Sequence, residues 1–124
     1  MAEINSDNSS NYQNKYCVVL CTCPNQVSAE TIANVLVTEK LAACVNIIPG
    51  ITSVYTWQGS LEKSQELLLV IKSKVGAFSN VENAILAHHP YELPEIISIP
   101  IENGLSGYLS WIDENTDKGA LPTS

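Results

Sequence analysis

The only two histidines of this chain, His88 and His89, are adjacent and come directly before Pro90. Imidazole is the commonest metal ligand in proteins and titrates near neutral pH. On a continuous helix, adjacent side chains point about 100° apart and could not share one small ion. Because Pro90 disfavours the helical region for His89, the two rings can leave the helical directions. The pair is therefore a candidate metal site, although two helix-end residues favoured by the helix dipole would show the same pattern.

Three of the four cysteines, Cys17, Cys21 and Cys23, lie in one short apolar segment. Their odd numbering places them on one face of a strand, with Cys21 and Cys23 about 6.6 Å apart along it. Two thiolates at that separation could just share a metal, whereas Cys17 would be too remote. Thiolate together with imidazole favours copper or zinc over magnesium or calcium. The alternative, that the thiols pack as small hydrophobic groups, is favoured for Cys17, Cys23 and Cys44 and stays open for Cys21.

A second candidate site consists of aromatic and charged residues that could line a cleft between subunits. Its members are Tyr55, Trp57, Glu66, Lys72, Tyr91, Glu95, Tyr108 and Trp111. Tyrosine and tryptophan combine an apolar body with a polar atom, which suits both subunit interfaces and small-ligand clefts. Most of these residues are expected to pack in interfaces, so the cleft is the alternative interpretation.

Composition and charge limit the classes of function. The 124 residues, 45% hydrophobic and 15% charged, fit one ordinary globular domain. All six basic residues are lysines and the net charge is −7. Without arginine the chain lacks the planar guanidinium group that recognises phosphates and guanine edges through paired hydrogen bonds. Nucleic acid is therefore not an expected partner.

Targeting and catalytic motifs are also missing from the sequence. No apolar run approaches the roughly 20 residues that span a bilayer, so no membrane partner is expected. The N-terminus has no signal-peptide pattern, and we expect reduced thiols in a cytoplasmic protein. The glycines show no phosphate-binding spacing. An enzyme would need Cys21 as a nucleophile with a histidine base, and we do not predict one.

The hydrophobic pattern predicts the element order β-α-β-β-α-β followed by a terminal helix. The predicted strands are 16–22, 44–58, 61–74 and 95–101, and the predicted helices are 26–42, 76–88 and 105–112. Pro49-Gly50 indicates a bulge in the second strand and Gly59-Ser60 a hairpin turn. This order is typical of a ferredoxin-like α+β domain.

The predicted domain covers residues 15–116. The Asn- and Ser-rich residues 1–14 are expected to be a disordered tail, and residues 117–124 a short C-terminal tail. Within the domain, the strands are apolar on both faces, as in Val18-Val19-Leu20 and residues 67–71. In a sheet with one solvated face, apolar and polar residues would alternate along each strand. The terminal helix is too short to cover the second face, so we expect other subunits to cover it in a homo-oligomer.

Four separated motifs in a fixed order resemble one known family. They are Cys21-Thr22-Cys23-Pro24, EKLAACVNIIPGITSVYTWQG at residues 39–59, HHPYELPEII at residues 88–97 and GYLSWI at residues 107–112. Over residues 16–115 the chain resembles the CutA divalent-cation tolerance family. The resemblance implies a ferredoxin-like, PII-like homotrimer without enzymatic activity, linked to tolerance of divalent metals and of copper above all. Matched position by position, it implies Cys21, His88 and His89 as the metal ligands.

The combined expectation is a cytoplasmic trimer that binds copper, or else zinc or another divalent cation, by coordination and without turnover. The alternative is a small-molecule sensor. PII signal-transduction proteins share the trimeric ferredoxin-like architecture and bind effectors in clefts between subunits, although this is an analogy of fold alone. Here such clefts would use the aromatic residues together with Lys72.

Overall fold

The computed structural model describes residues 15–117, which form one four-stranded antiparallel sheet with three α-helices. Its elements are β1 (Tyr16–Cys23), α1 (Gln26–Thr38), β2 (Cys44–Trp57), β3 (Ser60–Lys74), a 3-10 turn (Val75–Ala77), α2 (Phe78–His88), β4 (Ile97–Pro100) and α3 (Ser106–Glu114). The predicted α+β class and element order are confirmed. The predicted tails lie outside the described residues, apart from Asp117.

Helix α1 ends at Thr38, four residues before the predicted end. Lys40 follows with a φ of 59°, in the left-handed region. Its N–H donates to the carbonyl of Val37, and the N–H of Leu41 donates to the carbonyl of Leu36 at 2.9 Å. These bonds form a Schellman motif, which closes the helix. The predicted start of the helix at residue 26 is confirmed, but its predicted end at residue 42 was wrong because lysine occupies the position where glycine usually signals the stop.

The strand order is β2-β3-β1-β4, and each neighbouring pair is antiparallel. Strand β1 pairs with β3 along its whole length, but with β4 only from Cys17 to Leu20. Because β4 is shorter than predicted, the last three residues of β1 have an unpaired edge on that side. This free edge is where the segment after α2 docks.

Strands β2 and β3 extend beyond the sheet as a two-stranded ribbon. The register shifts between Ile48 and Ile51, which confirms the predicted bulge at Pro49-Gly50. Past the bulge the pairing runs from Ile51–Glu66 to Trp57–Ser60, whereas β1 ends opposite Leu67. The turn is Gln58-Gly59, one residue earlier than predicted, with φ values of 52° and 82°. Positive φ at both residues is typical of the tight type I′ hairpin turn.

The two faces of the sheet differ in burial. One face packs against α1 and α2 and forms the main core, which includes Cys17, Val19, Cys21, Cys23, Ile32, Leu36, Leu69, Ile71, Val81 and Ile85. On the other face α3 covers only one end, where Ile112 packs with Tyr16 and Ala43. Ile97 and Ile99 on that face remain 50% and 46% exposed. Among residues 15–117, no helix is long and apolar enough to cross a membrane.

Candidate metal centre

Strand β1 places two thiols side by side beneath the helices. Cys21 and Cys23 alternate with Thr22, so both side chains point to the helix-covered face, and both are fully buried. Strand β1 ends at Cys23, and Asn25 caps α1 by accepting from the N–H of Ser28 at 2.9 Å. The strand end and the helix start are therefore both well defined around the thiols.

The end of α2 places the imidazole. His88 is the last helical residue, and His89 is extended at φ −87° and ψ 138°, as the following proline requires. The N–H of His89 still donates to the carbonyl of Ile85 at 2.8 Å. Its ring turns towards the free edge of β1, where Nε2 bonds the carbonyl of Thr22 at 2.7 Å. His89 thus satisfies a strand carbonyl that β4 is too short to reach.

These contacts determine the tautomer of His89. Because a carbonyl oxygen can only accept, Nε2 carries the proton. On the other side of the ring, the N–H of Tyr91 donates to Nδ1 at 3.1 Å. The lone pair of His89 is therefore on Nδ1, and a metal bound there would replace the bond from Tyr91. A backbone carbonyl on the opposite nitrogen is the usual orienting partner of a metal-binding histidine.

Cys21, Cys23 and His89 together form a group whose candidate ligand atoms all lie within 4.8 Å of one another. Two thiolates on a tetrahedral zinc ion, with zinc–sulfur bonds of about 2.3 Å, are about 3.8 Å apart. To reach these ligand separations, the two sulfurs would have to approach by at most about 1 Å and a sulfur–nitrogen pair by at most about 1.3 Å. Two sulfur donors and one imidazole nitrogen suit copper or zinc and do not suit magnesium or calcium. The residues fit a thiophilic ion.

The two neighbouring thiols shift each other's acidity in opposite directions. Hydrogen bonding to Cys23 is the main cause that raises the pKa of Cys21, and burial adds to it. The same bond lowers the pKa of Cys23, helped by a side-chain bond from Ser28. A metal ligated by both sulfurs would have to displace the proton of each thiol, since the thiolate is the ligand.

His88 lies outside this group. Its Nδ1 bonds the carbonyl of Ala84 one helical turn back, at 2.9 Å, and its ring is exposed in a shallow depression beside the start of α1. The structure therefore brings together two of the three predicted ligands, Cys21 and His89, and adds Cys23, for which the sequence favoured a packing role. The Cys-x-Cys spacing was the signal that could have identified Cys23. The role of His88 as a ligand stays a prediction.

Part of the predicted aromatic and charged set lines a cleft of about 890 Å³ between the β2–β3 ribbon and the α2–β4 loop. Its lining includes the predicted residues Tyr55, Trp57, Glu66, Tyr91 and Glu95. The remaining predicted residues lie elsewhere. Lys72 bonds Asn46 on the sheet, and Tyr108 stacks on Trp111 on α3 with ring centroids 5.5 Å apart.

The fold is that of a small α+β protein, and its buried group of two thiols and one imidazole is a candidate site for a thiophilic metal ion. Comparison with known proteins agrees: the family model described as CutA1 divalent ion tolerance protein matches residues 17–115. The divalent-cation tolerance protein CutA of Thermus thermophilus is 52% identical over 99 residues, which are 80% of this chain and 96% of the relative. The CutA homolog of Xenopus laevis is 50% identical over 93 residues, 75% of this chain and 62% of the longer relative.

A solved structure of the Thermus thermophilus divalent cation tolerance protein superimposes with a TM-score of 0.80 and 50% sequence identity. The match covers 82% of this chain and 98% of the solved one. The chain therefore belongs to the CutA1 divalent ion tolerance family.

Proposed function

We propose that this chain binds copper, with zinc as the next most favoured ion, and that binding supports divalent-cation tolerance in the cytoplasm. It acts by coordination without turnover, and without a nucleic-acid or membrane partner. The observation that carries the proposal is the convergence of two thiols and one imidazole within 4.8 Å. Such a group distinguishes ions by softness, because thiolate ligands prefer copper and zinc to magnesium and calcium.

Cys21 and His89 form the centre of the proposed site, and Cys23 is its third ligand. Cys21 and Cys23 come from one strand, whereas His89 arrives from the end of α2, so the ion would link two elements of the fold. His88 has only Nε2 available, because Nδ1 bonds Ala84. For His88 to join the ligands of the proposed site, the last turn of α2 would have to rearrange.

We further propose that the chain is a ferredoxin-like homotrimer. Two surfaces support this assembly. The sheet face opposite α1 and α2 leaves Ile97 and Ile99 about half exposed. On the ribbon, Val54 and Leu61 are 57% and 70% exposed and lie on the face opposite Tyr55 and Trp57. A two-stranded ribbon alone is marginally stable in water, so a neighbouring subunit would stabilise it.

The metal site is tested by anaerobic titration of Cu(I) in competition with a chromophoric chelator. We expect Cys21→Ser, Cys23→Ser and His89→Gln to weaken binding at least tenfold each, because the loss of even an outer-shell partner of a metal ligand typically costs about tenfold or more. Cys44→Ser is the matched control, because Cys44 is only partly buried and lies on β2 away from the group. Equal affinity in wild type and in all three ligand variants would refute the assignment. Sedimentation of the metal-free protein tests the trimer.

A second candidate function is a small-molecule sensor of the PII type. The cleft of about 890 Å³ favours it, because a cleft of this size is in the range of small-ligand sites. Lys72, which the sequence placed in such a site, does not line the cleft. The lining instead contains carboxylates and aromatic rings, which changes the class of ligand to expect.

A further inference from the structure

We propose that the cleft between the β2–β3 ribbon and the α2–β4 loop binds a small organic cation that carries an alkylated ammonium group. This cleft lies on the sheet face opposite the thiols, because Glu66 alternates with Leu67, whose register partner is Cys23. The cleft therefore shares no side chain with the proposed metal ligands.

Three aromatic rings line the cleft from two sides. Tyr55 and Trp57 are two residues apart on β2 and so share one face of the ribbon, and Tyr91 lies on the opposing loop. All three remain substantially exposed, at 44%, 62% and 39%. The face of an aromatic ring is negative and attracts a cation placed within about 6 Å of the centroid, and alkylated ammonium groups are the ligands that such arrangements recognise.

The charges of the cleft have a single sign. Its carboxylates are Glu62 and Glu66 on the ribbon and Glu92 and Glu95 on the loop, and no lysine of residues 15–117 lines it. In a low-dielectric cleft, charges of one sign concentrate ligands of the opposite sign. An anionic effector is thus disfavoured, and a cation can contact carboxylates on both walls.

Glu66 places a buried carboxylate in the wall of the cleft. Only 8% of this residue is exposed, and its carboxylate accepts from two neutral hydroxyls, that of Ser53 at 2.6 Å and that of Tyr91 at 3.0 Å. Within residues 15–117 no cationic side chain forms an ion pair with it. Burying a carboxylate without a counter-charge is unfavourable. A cation bound in the cleft would supply the missing charge.

The aromatic lining favours an organic cation over a divalent metal ion. Calcium takes six to eight oxygen ligands, and magnesium keeps several of its waters. A divalent ion that keeps its oxygen ligands or its waters gains little from three ring faces. An ammonium group surrounded by methyl groups instead gains both ring contact and carboxylate attraction.

The test uses the full-length protein and tetramethylammonium, observed through its methyl proton resonance. Protons above an aromatic face are shifted upfield, so cation–π binding gives a saturable upfield shift, with half-saturation on the order of 1–10 mM for so small a ligand. Tert-butanol is the uncharged probe of similar size, and sodium chloride controls for ionic strength. We expect no saturable shift with tert-butanol.

Variants separate the contribution of the carboxylate charge to binding from that of the aromatic rings. Glu66→Gln keeps the shape and the acceptor for Ser53 but removes the charge, and should weaken binding about tenfold. Trp57→Leu should remove much of the upfield shift. Their matched controls are Glu39→Gln and Trp111→Leu, which alter a carboxylate and a ring outside the cleft and should behave as wild type. Circular dichroism checks that each variant is folded. If Glu66→Gln unfolds, the test uses Glu62→Gln instead, since Glu62 lines the same cleft and is exposed.

The proposal would be overturned by the absence of a saturable shift, by equal binding of tert-butanol, or by unchanged affinity in Glu66→Gln. Binding that persists with no upfield shift would also contradict it, because the carboxylates would then hold the cation as a simple counter-ion. Cys21→Ser should leave tetramethylammonium binding intact, so failure of the metal site and failure of the cleft are distinguishable.

Discussion

The backbone N–H of Tyr91 donates to Nδ1 of His89 at 3.1 Å, and the two rings lie 4.9 Å apart. The hydroxyl of the same tyrosine donates to Glu66 at 3.0 Å. His89 belongs to the candidate metal centre, and Glu66 belongs to the cleft. Tyr91 therefore contacts both sites, with its backbone at one and its side chain at the other.

This arrangement predicts that the two sites are coupled. A metal at Nδ1 of His89 takes the acceptor from the N–H of Tyr91, so the loop that carries Tyr91 must shift and its hydroxyl moves relative to Glu66. We expect tetramethylammonium to bind more weakly to copper-loaded protein than to metal-free protein, and copper to bind more weakly, by the same factor, in the presence of tetramethylammonium. The methyl proton titration with and without Cu(I) measures this. An effect of copper that persists in Cys21→Ser would contradict the coupling.

The tyrosine hydroxyl can be removed without touching the backbone. Tyr91→Phe leaves one oxygen of the buried Glu66 without its donor, which should lower the free energy of unfolding by about 1–3 kcal/mol. Copper affinity should stay within twofold, since the N–H to His89 remains. Urea unfolding at fixed protein concentration checks the first expectation. Tyr108→Phe is the control on an exposed ring of α3 and should be near neutral, so equal losses in both variants would argue against the role of Glu66.

The two histidines should differ in their effect on stability. His89 joins α2 to β1 through Thr22 and is 9% exposed, whereas His88 is exposed and contacts its own helix. We expect His89→Ala to destabilise the metal-free protein by about 1–3 kcal/mol and His88→Ala by less than about 0.5 kcal/mol. Thermal unfolding in the presence of a chelator provides the comparison. Equal losses would contradict the assigned contacts.

The end of α1 offers a stabilising substitution. Lys40 has a φ of 59°, a conformation that glycine adopts without steric penalty. Lys40→Gly should raise the free energy of unfolding by up to about 1 kcal/mol, because the strain exceeds the entropy that glycine adds to the unfolded chain. Glu39→Gly, at a neighbouring position with φ −88°, should instead destabilise. If both variants lose stability, the helix end is not held in the left-handed conformation.

Much of the fold follows from local pattern, whereas the site depends on non-local contacts. Strand alternation predicted that Cys21 and Cys23 share a face, and the proline after His89 predicted where α2 ends. Sequence alone could not decide which histidine turns towards β1. That choice depends on the free carbonyl of Thr22, which exists only because β4 stops pairing at Leu20. Cys23 was assigned to packing for the same reason, since its imidazole neighbour is 66 positions away.

The count of sulfur ligands in the copper-loaded protein tests the central claim most directly. Extended X-ray absorption fine structure at the copper edge reports the number and distance of bound sulfur and nitrogen atoms. We expect two sulfur ligands at about 2.3 Å and at least one imidazole nitrogen, with one sulfur lost in Cys23→Ser. A single sulfur ligand that is unchanged in Cys23→Ser, or a copper ion bound by nitrogen and oxygen alone, would contradict a site built from Cys21, Cys23 and His89.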